Sequence, residues 1–202
     1  MSIATTQRQP FARRSRRGVS VLWLIVFMPL ALIGLLMTIE TGRLWLARAE
    51  VEDALEAAVL AGVIEWGQHD ENAPHSTLTA RQVAADFASG NLVAGGPFSL
   101  QTNNLNHDPR GGNCNQNGSS GGMLVFGAIT QVQPTVVFDA NADPHNPDYF
   151  YAVLARSAHP IASQYGIGGF SLGPYTIRAE SVAMIDDEGR ARIVRIDSIA
   201  SP

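Results

Sequence analysis

The closest approach to a metal-binding motif in this chain is a set of three oxygen-bearing residues with alternate spacing. Asp139, Asn141 and Asp143 match positions 1, 3 and 5 of a helix–loop–helix calcium loop. That loop also requires glycine at position 6 and a bidentate glutamate at position 12. These positions hold Pro144 and Phe150 here. The segment is therefore predicted to be a solvated turn before a strand.

The other residue types that support catalysis or metal binding form no familiar pattern. The histidines do not fall in a metal-ligand spacing such as His-Glu-x-x-His. They are His69, His75, His107, His145 and His159. The Gly118 to Gly121 segment, GSSG, lacks the strand–turn–helix context that exposes a nucleophilic serine, and the glycines from Gly166 to Gly169 do not open a helix. We therefore expect a protein that is not an enzyme, with no cofactor and no metal.

Cys114 is the one cysteine of the chain, so no intramolecular disulfide can form. It lies in a run rich in glycine and asparagine. We interpret it as a thiol in a solvated loop. The alternative is an intermolecular disulfide, which would give a dimer on non-reducing gels that a Cys114→Ser variant would lose.

An uncharged run of 21 residues, from Val19 to Ile39, determines on which side of a membrane the later residues lie. At 1.5 Å per residue it reaches about the 30 Å thickness of a hydrocarbon core, so it predicts a membrane-spanning helix. Arginines precede it without any acid. By the positive-inside rule they hold the N-terminus in the cytoplasm and export the rest. They are Arg8, Arg13, Arg14, Arg16 and Arg17.

The predicted location is therefore the bacterial inner membrane, with a periplasmic C-terminal domain. A cleaved secretory signal is the alternative, because Ala47-Arg48-Ala49 imitates a cleavage site. The apolar stretch is longer than the 7 to 15 residues usual for a signal core, which favours a retained anchor. After the arginines the chain is acidic, with nine basic residues against 18 acidic ones. This charge argues against nucleic acid as a partner.

Small residues recur along one face of the predicted span. Gly34, Thr38 and Gly42 stand four residues apart, which would let another helix approach closely. Chance is the alternative, because glycine and threonine are common in such helices. Just outside the membrane, Glu40 and Arg43 are spaced to form an ion pair at the boundary.

The helix is predicted to continue beyond the membrane to about Trp66. Apolar residues recur at alternating spacings of three and four, as in an amphipathic or coiled-coil helix. They form an alanine-rich seam, which consists of Leu44, Ala47, Val51, Ala54, Ala58 and Ala61. Two interpretations remain open: the seam packs on the chain's own β-sheet, or it packs on a helix of a neighbouring subunit.

The remainder is predicted to be an α+β domain in which an antiparallel sheet packs on the long helix. A second helix begins at Thr77 or Thr79 and ends near Ser89. Residues 92–101 are weakly strand-like, and residues 102–122 form a long loop without a packed pattern. Five strands follow, within 123–129, 135–139, 149–157, 175–186 and 191–196, the last two joined as a hairpin. The domain boundaries are 1–18, 19–39, 40–66 and 67–202.

The stretch from Arg16 to Val63 resembles the N-terminal segment of TadE/TadG-like proteins of the tight-adherence (Flp pilus) machinery. The shared features are Arg-Arg-Gly before the span, Pro29 within it, an acid before Gly42-Arg43-Leu44, and the sequence ALEAAVLAG from Ala54 to Gly62. A fainter similarity covers the segments 151–156 and 176–184, with a linker led by Pro160 between them. Trp23 stands where a prepilin-type leader would place glutamate, five residues after Gly18.

The resemblance implies a non-enzymatic role in pilus assembly or the associated secretion, for a membrane-anchored protein that engages other pilus-platform proteins. The missing glutamate argues against cleavage after Gly18 and against a subunit extracted into a pilus. A homo- or hetero-oligomer is compatible with this role. The alternative is a tethered periplasmic domain that binds or senses a small ligand near the Asn/Gly-rich loop.

Overall fold

A long α-helix begins the part of the chain that the structure describes. The computed structural model describes residues 17–68, 77–100, 104–110, 114–167, 170–171 and 173–200. Helix α1 covers Arg17–Gly67, and helix α2 covers Thr77–Ser89. The chain divides into two compact units, one ending at Thr41 and the next beginning at Gly42.

In the described part of the chain, ten short to medium strands follow the helices. Their bounds are β1 Leu92–Val93, β2 Gly96–Pro97, β3 Leu124–Gln131, β4 Val137–Asp139, β5 Phe150–Ile161, β6 Gly166–Ile167, β7 Phe170–Ser171, β8 Tyr175–Ile185, β9 Ala191–Val194 and β10 Ser198–Ile199. Six of them form one sheet in the order β10-β4-β3-β5-β8-β9. All neighbours in this sheet are antiparallel except β10 and β4. The predicted α+β class with an antiparallel sheet is confirmed.

Both faces of the central strands are buried, because their side chains alternate between two apolar clusters. On β3, Phe126 packs with the helices, while its neighbour Val125 belongs to the opposite cluster. Val153 and Leu154 divide in the same way on β5. All four side chains are fully buried. The sheet therefore forms the middle layer of the domain.

Helix α1 packs closely on helix α2 through small residues. A Cβ added to Gly62 would lie 3.1 Å from the Cβ of Ala84, and Ala80, Ala84 and Ala88 of α2 are fully buried. Near its C-terminal end, α1 contributes Trp66. Its ring makes T-shaped contacts with the rings of Phe126 and Tyr151, at centroid distances of 5.0 and 4.9 Å. Small side chains thus bring the helices together, and one large ring fills the space above the sheet.

Two strand predictions differ from the structure. Instead of an extended segment over 92–101, the chain forms a two-strand hairpin of β1 and β2 that turns at Ala94 and Gly95, both with positive φ. The predicted Pro160 linker is part of β5, where Pro160 pairs with Thr176. Beyond Arg156, β5 is paired in the described sheet with β8 alone, and a strand edge without a partner tolerates the missing N–H of proline.

Candidate functional site

The first part of α1 exposes large apolar side chains on all sides. Leu22 is 64% exposed and Ile39 is 46% exposed, and most large apolar side chains between them are similar, with Leu36 only partly exposed. Among the described residues, α1 is the helix that is long and apolar enough to cross a membrane, judged by length and composition, with a mean hydropathy of 2.5 over its most apolar stretch. Such a surface is typical of a helix that packs on lipid or on other helices.

The small-residue face of this stretch is open within the described part of the chain. A Cβ added to Gly34 or Gly42 would meet no described atom within 4 Å. Between them, the hydroxyl of Thr38 donates a hydrogen bond to the carbonyl of Gly34 at 2.9 Å, which satisfies this polar group within the helix. Close approach of another helix at this face stays a prediction.

The end of the exposed apolar stretch of α1 carries charged and aromatic residues. Glu40 is buried, and Arg43 Nη2 donates to the carbonyl of Ala162 at 3.2 Å. The Glu40–Arg43 ion pair stays a prediction. Trp45 is 77% exposed. The arginines invoked for orientation, Arg13, Arg14 and Arg16, lie outside the described residues, and only the backbone of Arg17 is described.

The seam after Gly42 lies largely in the core of this chain. Ala47, Val51, Ala54 and Ala58 are at most 2% exposed and belong to the cluster that includes side chains of α2, β3 and β5. Ala61 is only half-buried. From Leu55 onward the buried face widens and passes through Val59, Gly62 and Val63. Positions that repeat every 3.5 residues move gradually around a straight helix, which has 3.6 residues per turn. By Ala61 the predicted seam has therefore moved away from the buried face.

A buried arginine, which the sequence analysis missed, holds the segment after α2 in place. Arg81 of α2 has no exposed surface, and its guanidinium carbon lies 4.4 Å from the centroid of the Phe126 ring. Burial lowers the pKa of Arg81 from its ordinary 12.5 to about 9, so the side chain stays charged at neutral pH. It donates hydrogen bonds to the hydroxyl of Thr77, the side chain of Asn117 and the carbonyls of Leu105, Asn115, Gln116 and Leu124.

The hydrogen bonds of Arg81 order a segment that we call the Asn-rich loop, residues 104–110 and 114–122. The side chains of Asn106, Asn115 and Asn117 point into the fold. Asn106 Nδ2 donates to Leu124 O at 2.8 Å, and Asn117 donates to the carbonyl and accepts from the amide of Phe126. Positive φ angles at Leu105, Asn106 and Gln116 let the chain turn sharply. The prediction of a loop without a packed pattern is therefore wrong for these residues.

Cys114 lies at the edge of the Asn-rich loop, half-buried against the loop between β4 and β5. Its Sγ is 3.4 Å from Asp143 Oδ1, and His145 Nδ1 is 2.7 Å from the same oxygen. Burial, together with the hydrogen bond to Asp143 and the charge of Asp143, raises the pKa of the Cys114 thiol to about 12. Backbone and side-chain hydrogen bonds from His145 lower the pKa of Asp143. The expectation of a merely solvated thiol overlooked this contact.

The segment compared with a calcium loop is built as a turn. Asp139 Oδ1 accepts the backbone N–H of Asn141 at 2.8 Å, and Asp143 Oδ1 accepts that of His145 at 3.0 Å. Both carboxylates therefore stabilise local turns. Of the five histidines, His69 and His75 lie outside the described residues. His107 is 3.1 Å from Gln116 Oε1, and the ring of His159 packs near Phe98.

An open groove of about 860 Å³ runs along the second part of α1 and the outer part of β5 and β8. Its charged lining mixes both signs. Arg48 pairs with Glu52 at 2.8 Å, and Arg156 donates from Nε to the carbonyl of Gly122 at 2.9 Å. Arg178 and Glu180 complete the lining. The groove can accept a polar segment or an anionic group.

Residues 18–69 match the model of a protein family described as "Putative Flp pilus-assembly TadE/G-like". The match spans the exposed apolar part of α1 and the buried seam, roughly a quarter of the chain. The resemblance of this segment to TadE/TadG-like proteins is confirmed. No curated protein and no solved structure matches the chain significantly.

Proposed function

We propose that this chain is a membrane-anchored, non-enzymatic component of Flp/Tad-type pilus assembly or of the associated secretion. The match of residues 18–69 to the TadE/G-like family carries the proposal, since it falls on the helix that is apolar enough to span a membrane. The seam gives this helix a second role. Its buried part, from Ala47 to Trp66, forms the core of the following domain.

The direction of insertion follows from charge. Five arginines precede Gly18, whereas two, Arg43 and Arg48, closely follow the span together with Glu40 and Glu50, so the N-terminus lies in the cytoplasm and the sheet domain in the periplasm. Protease added to intact spheroplasts should digest a C-terminal epitope tag on the full-length chain. A tag that is protected until the membrane is broken would reverse this topology.

The proposed mechanism is lateral helix packing. Gly34, Thr38 and Gly42 would let a helix of another pilus-platform protein approach, because a face without large side chains allows close backbone contact in lipid. The seam after Gly42 packs within this chain, so we propose the small-residue face of Gly34, Thr38 and Gly42 as the contact with other proteins. A homo-oligomer would use the same face.

The test is cross-linking and pull-down of the tagged full-length chain from membranes of a pilus-producing cell. Gly34→Ile and Gly42→Ile should reduce recovery of pilus or secretion components by about tenfold, since one Cβ branch separates the helices. Leu32→Ile is the matched control, because it lies about 200° around the helix from Gly34 and keeps the volume. Equal recovery from all three variants would contradict the packing mechanism, and recovery of no such component from the wild type would contradict the pilus role.

A second candidate is a tethered periplasmic domain that binds a small ligand, and the charged groove favours it. Three arginines, Arg48, Arg156 and Arg178, line the groove with two glutamates, Glu52 and Glu180, and the excess of positive charge makes an anionic ligand the chemistry to test. The side-chain amides of Asn106, Asn115 and Asn117 in the adjoining loop are engaged in internal hydrogen bonds, so we propose the groove, and not these amides, as the binding site. A thermal-shift screen with carboxylates and phosphates would reveal it, and Arg178→Gln should abolish any shift.

A further inference from the structure

The fold brings three metal-ligating side chains together from two loops. Cys114 comes from the Asn-rich loop, while Asp143 and His145 come from the loop between β4 and β5. One ligand atom from each, the thiol sulfur, a carboxylate oxygen and a ring nitrogen, lies within 4.8 Å of the other two. Because 29 residues separate Cys114 from Asp143, a search for local ligand spacing cannot detect this group.

The two loops are fixed to each other beside this cluster. Asn115, next to Cys114, donates from Nδ2 to the carbonyl of Ala140 at 2.9 Å and to that of Ala142 at 2.8 Å. Asn117 Nδ2 also donates to Ala140 O, at 3.1 Å. The ring of His145 meets the ring of Tyr151 edge-on, with centroids 5.6 Å apart. The sulfur, the carboxylate and the imidazole are therefore held together by groups that are not ligands themselves.

The ligand atoms lie near the separations that a small tetrahedral ion requires. With metal–ligand bonds of 2.0 to 2.3 Å, ligand atoms in a tetrahedral zinc site lie about 3.3 to 3.7 Å apart. The distance from Cys114 Sγ to Asp143 Oδ1 is 3.4 Å, and that from His145 Nδ1 to the same oxygen is 2.7 Å. The first distance fits a tetrahedral site, whereas the second is that of a hydrogen bond, so binding requires the His145 ring to move about 0.6 Å away from this oxygen. Ca²⁺ would require six or more oxygen ligands, whereas sulfur and nitrogen select a borderline-soft ion.

We propose that Cys114, Asp143 and His145 bind one Zn²⁺ ion through Sγ, a carboxylate oxygen and Nδ1, with water in the fourth position. Binding releases the thiol proton to solvent and breaks the hydrogen bonds of Sγ and Nδ1 to Asp143. The imidazole gives up its Nδ1 proton to solvent, and the neutral ring keeps its proton on Nε2. In the bound state the thiolate and the Asp143 carboxylate both face a cation, which offsets their mutual repulsion. It thereby links the Asn-rich loop to the loop between β4 and β5.

The test is zinc binding by the reduced, full-length chain in detergent micelles. After equilibrium dialysis against micromolar Zn²⁺, elemental analysis should find one equivalent in the wild type. Cys114→Ser and His145→Gln should each weaken binding by more than about tenfold, the loss expected even when a supporting residue of a metal site is removed. Asp143→Asn should weaken binding in the same way, and Asp148→Asn is its matched control, because it removes a carboxylate from the same loop outside the cluster. It should keep one equivalent.

Cobalt supplies a readout that reports the ligands themselves. Co²⁺ in the wild-type site should show an intense near-ultraviolet thiolate-to-metal band, which Cys114→Ser should lose while its metal-free melting temperature stays at the wild-type value. A wild type that binds no Zn²⁺ at micromolar concentration would overturn the proposal. So would a Cys114→Ser variant that binds Zn²⁺ as tightly as the wild type does.

Discussion

The buried part of α1 and the Asn-rich loop cover the same strands by opposite means. From Ala47 to Trp66, the helix satisfies its own backbone and contributes apolar side chains to the core. The loop contributes few apolar groups, and polar side chains of Arg81, Asn106 and Asn117 pair with backbone groups around it. An apolar seam tolerates the loss of one contact gradually, whereas a network of buried polar bonds depends on each member, because an unpaired buried group is costly.

The largest effect that tests this comparison is expected from Arg81→Met. Methionine fills similar volume but removes the hydrogen bonds that Arg81 donates to four carbonyls, to the Thr77 hydroxyl and to the Asn117 amide oxygen. Each hydrogen bond to a charged group contributes about 1.5 to 3 kcal/mol, and relief of the desolvation of the buried charge offsets part of their loss, which leaves about 3 to 5 kcal/mol. The free energy of unfolding of the full-length chain in detergent, measured by urea titration, should fall by this amount.

The matched control for Arg81→Met is Arg178→Met, the same change at an exposed arginine of β8. Its effect should stay within about 0.5 kcal/mol. Arg81→Lys keeps the charge but loses the planar guanidinium with its several donors, so its effect on the free energy of unfolding should lie between those of the two Met variants. If Arg81→Met were as mild as Arg178→Met, the loop would be held by something other than the arginine.

The second largest effect is expected on the helix side of the comparison. Leu55 is fully buried, and Leu55→Ala should lower the free energy of unfolding by about 3 kcal/mol through lost burial and the cavity left behind. Ile64→Ala on the same helix is the control, since Ile64 is 42% exposed. Urea titration again measures both. Equal costs at the two positions would mean that the observed face of α1 is not the one that packs.

The helix could be predicted from the sequence, and the loop could not. The helix prediction from Val19 to about Trp66 agrees with the observed Arg17–Gly67 because an apolar periodicity is a local signal. The order of the Asn-rich loop depends on Arg81, which precedes it by more than 20 residues, and on bonds from side chains to backbone, which have no period. The cluster of Cys114, Asp143 and His145 was missed for the same reason, since only the fold brings its two loops together.

A third effect probes a single member of the polar network. Asn117 donates to Phe126 O and Ala140 O, and its Oδ1 accepts from the Phe126 amide and from Arg81. Asn117→Ala should cost about 2 kcal/mol, the penalty for leaving buried groups unpaired. Asn141→Ala, at an exposed asparagine of the next loop, should cost little. In the Arg81→Met background, Asn117→Ala should lower the free energy of unfolding by less than it does in the wild type, because the two side chains share a hydrogen bond.

The smallest effect is expected at the turn between β8 and β9, where hydrogen bonds between a side chain and the backbone are exposed to water. Asp186 Oδ1 accepts the backbone N–H groups of Arg190 at 2.9 Å and Glu188 at 3.1 Å. The bond from Arg190 is the main cause that lowers the pKa of Asp186 below its ordinary 3.8. A carboxyl whose pKa is lower in the folded state adds stability above pH 3.8, and this contribution is lost as the pH falls through the folded pKa.

Asp186→Asn keeps the acceptor oxygen and removes the charge, so it isolates this contribution. The melting temperature of the variant should lie slightly below that of the wild type at pH 7, and the two should converge as the pH falls below about 4. Asp187→Asn removes the same charge one residue along, from a carboxylate that accepts neither of these bonds, and should show no such convergence. A shift at pH 7 as large as that of Asn117→Ala would contradict the comparison, because it would mean that side-chain-to-backbone bonds stabilise this fold equally whether or not water can replace them.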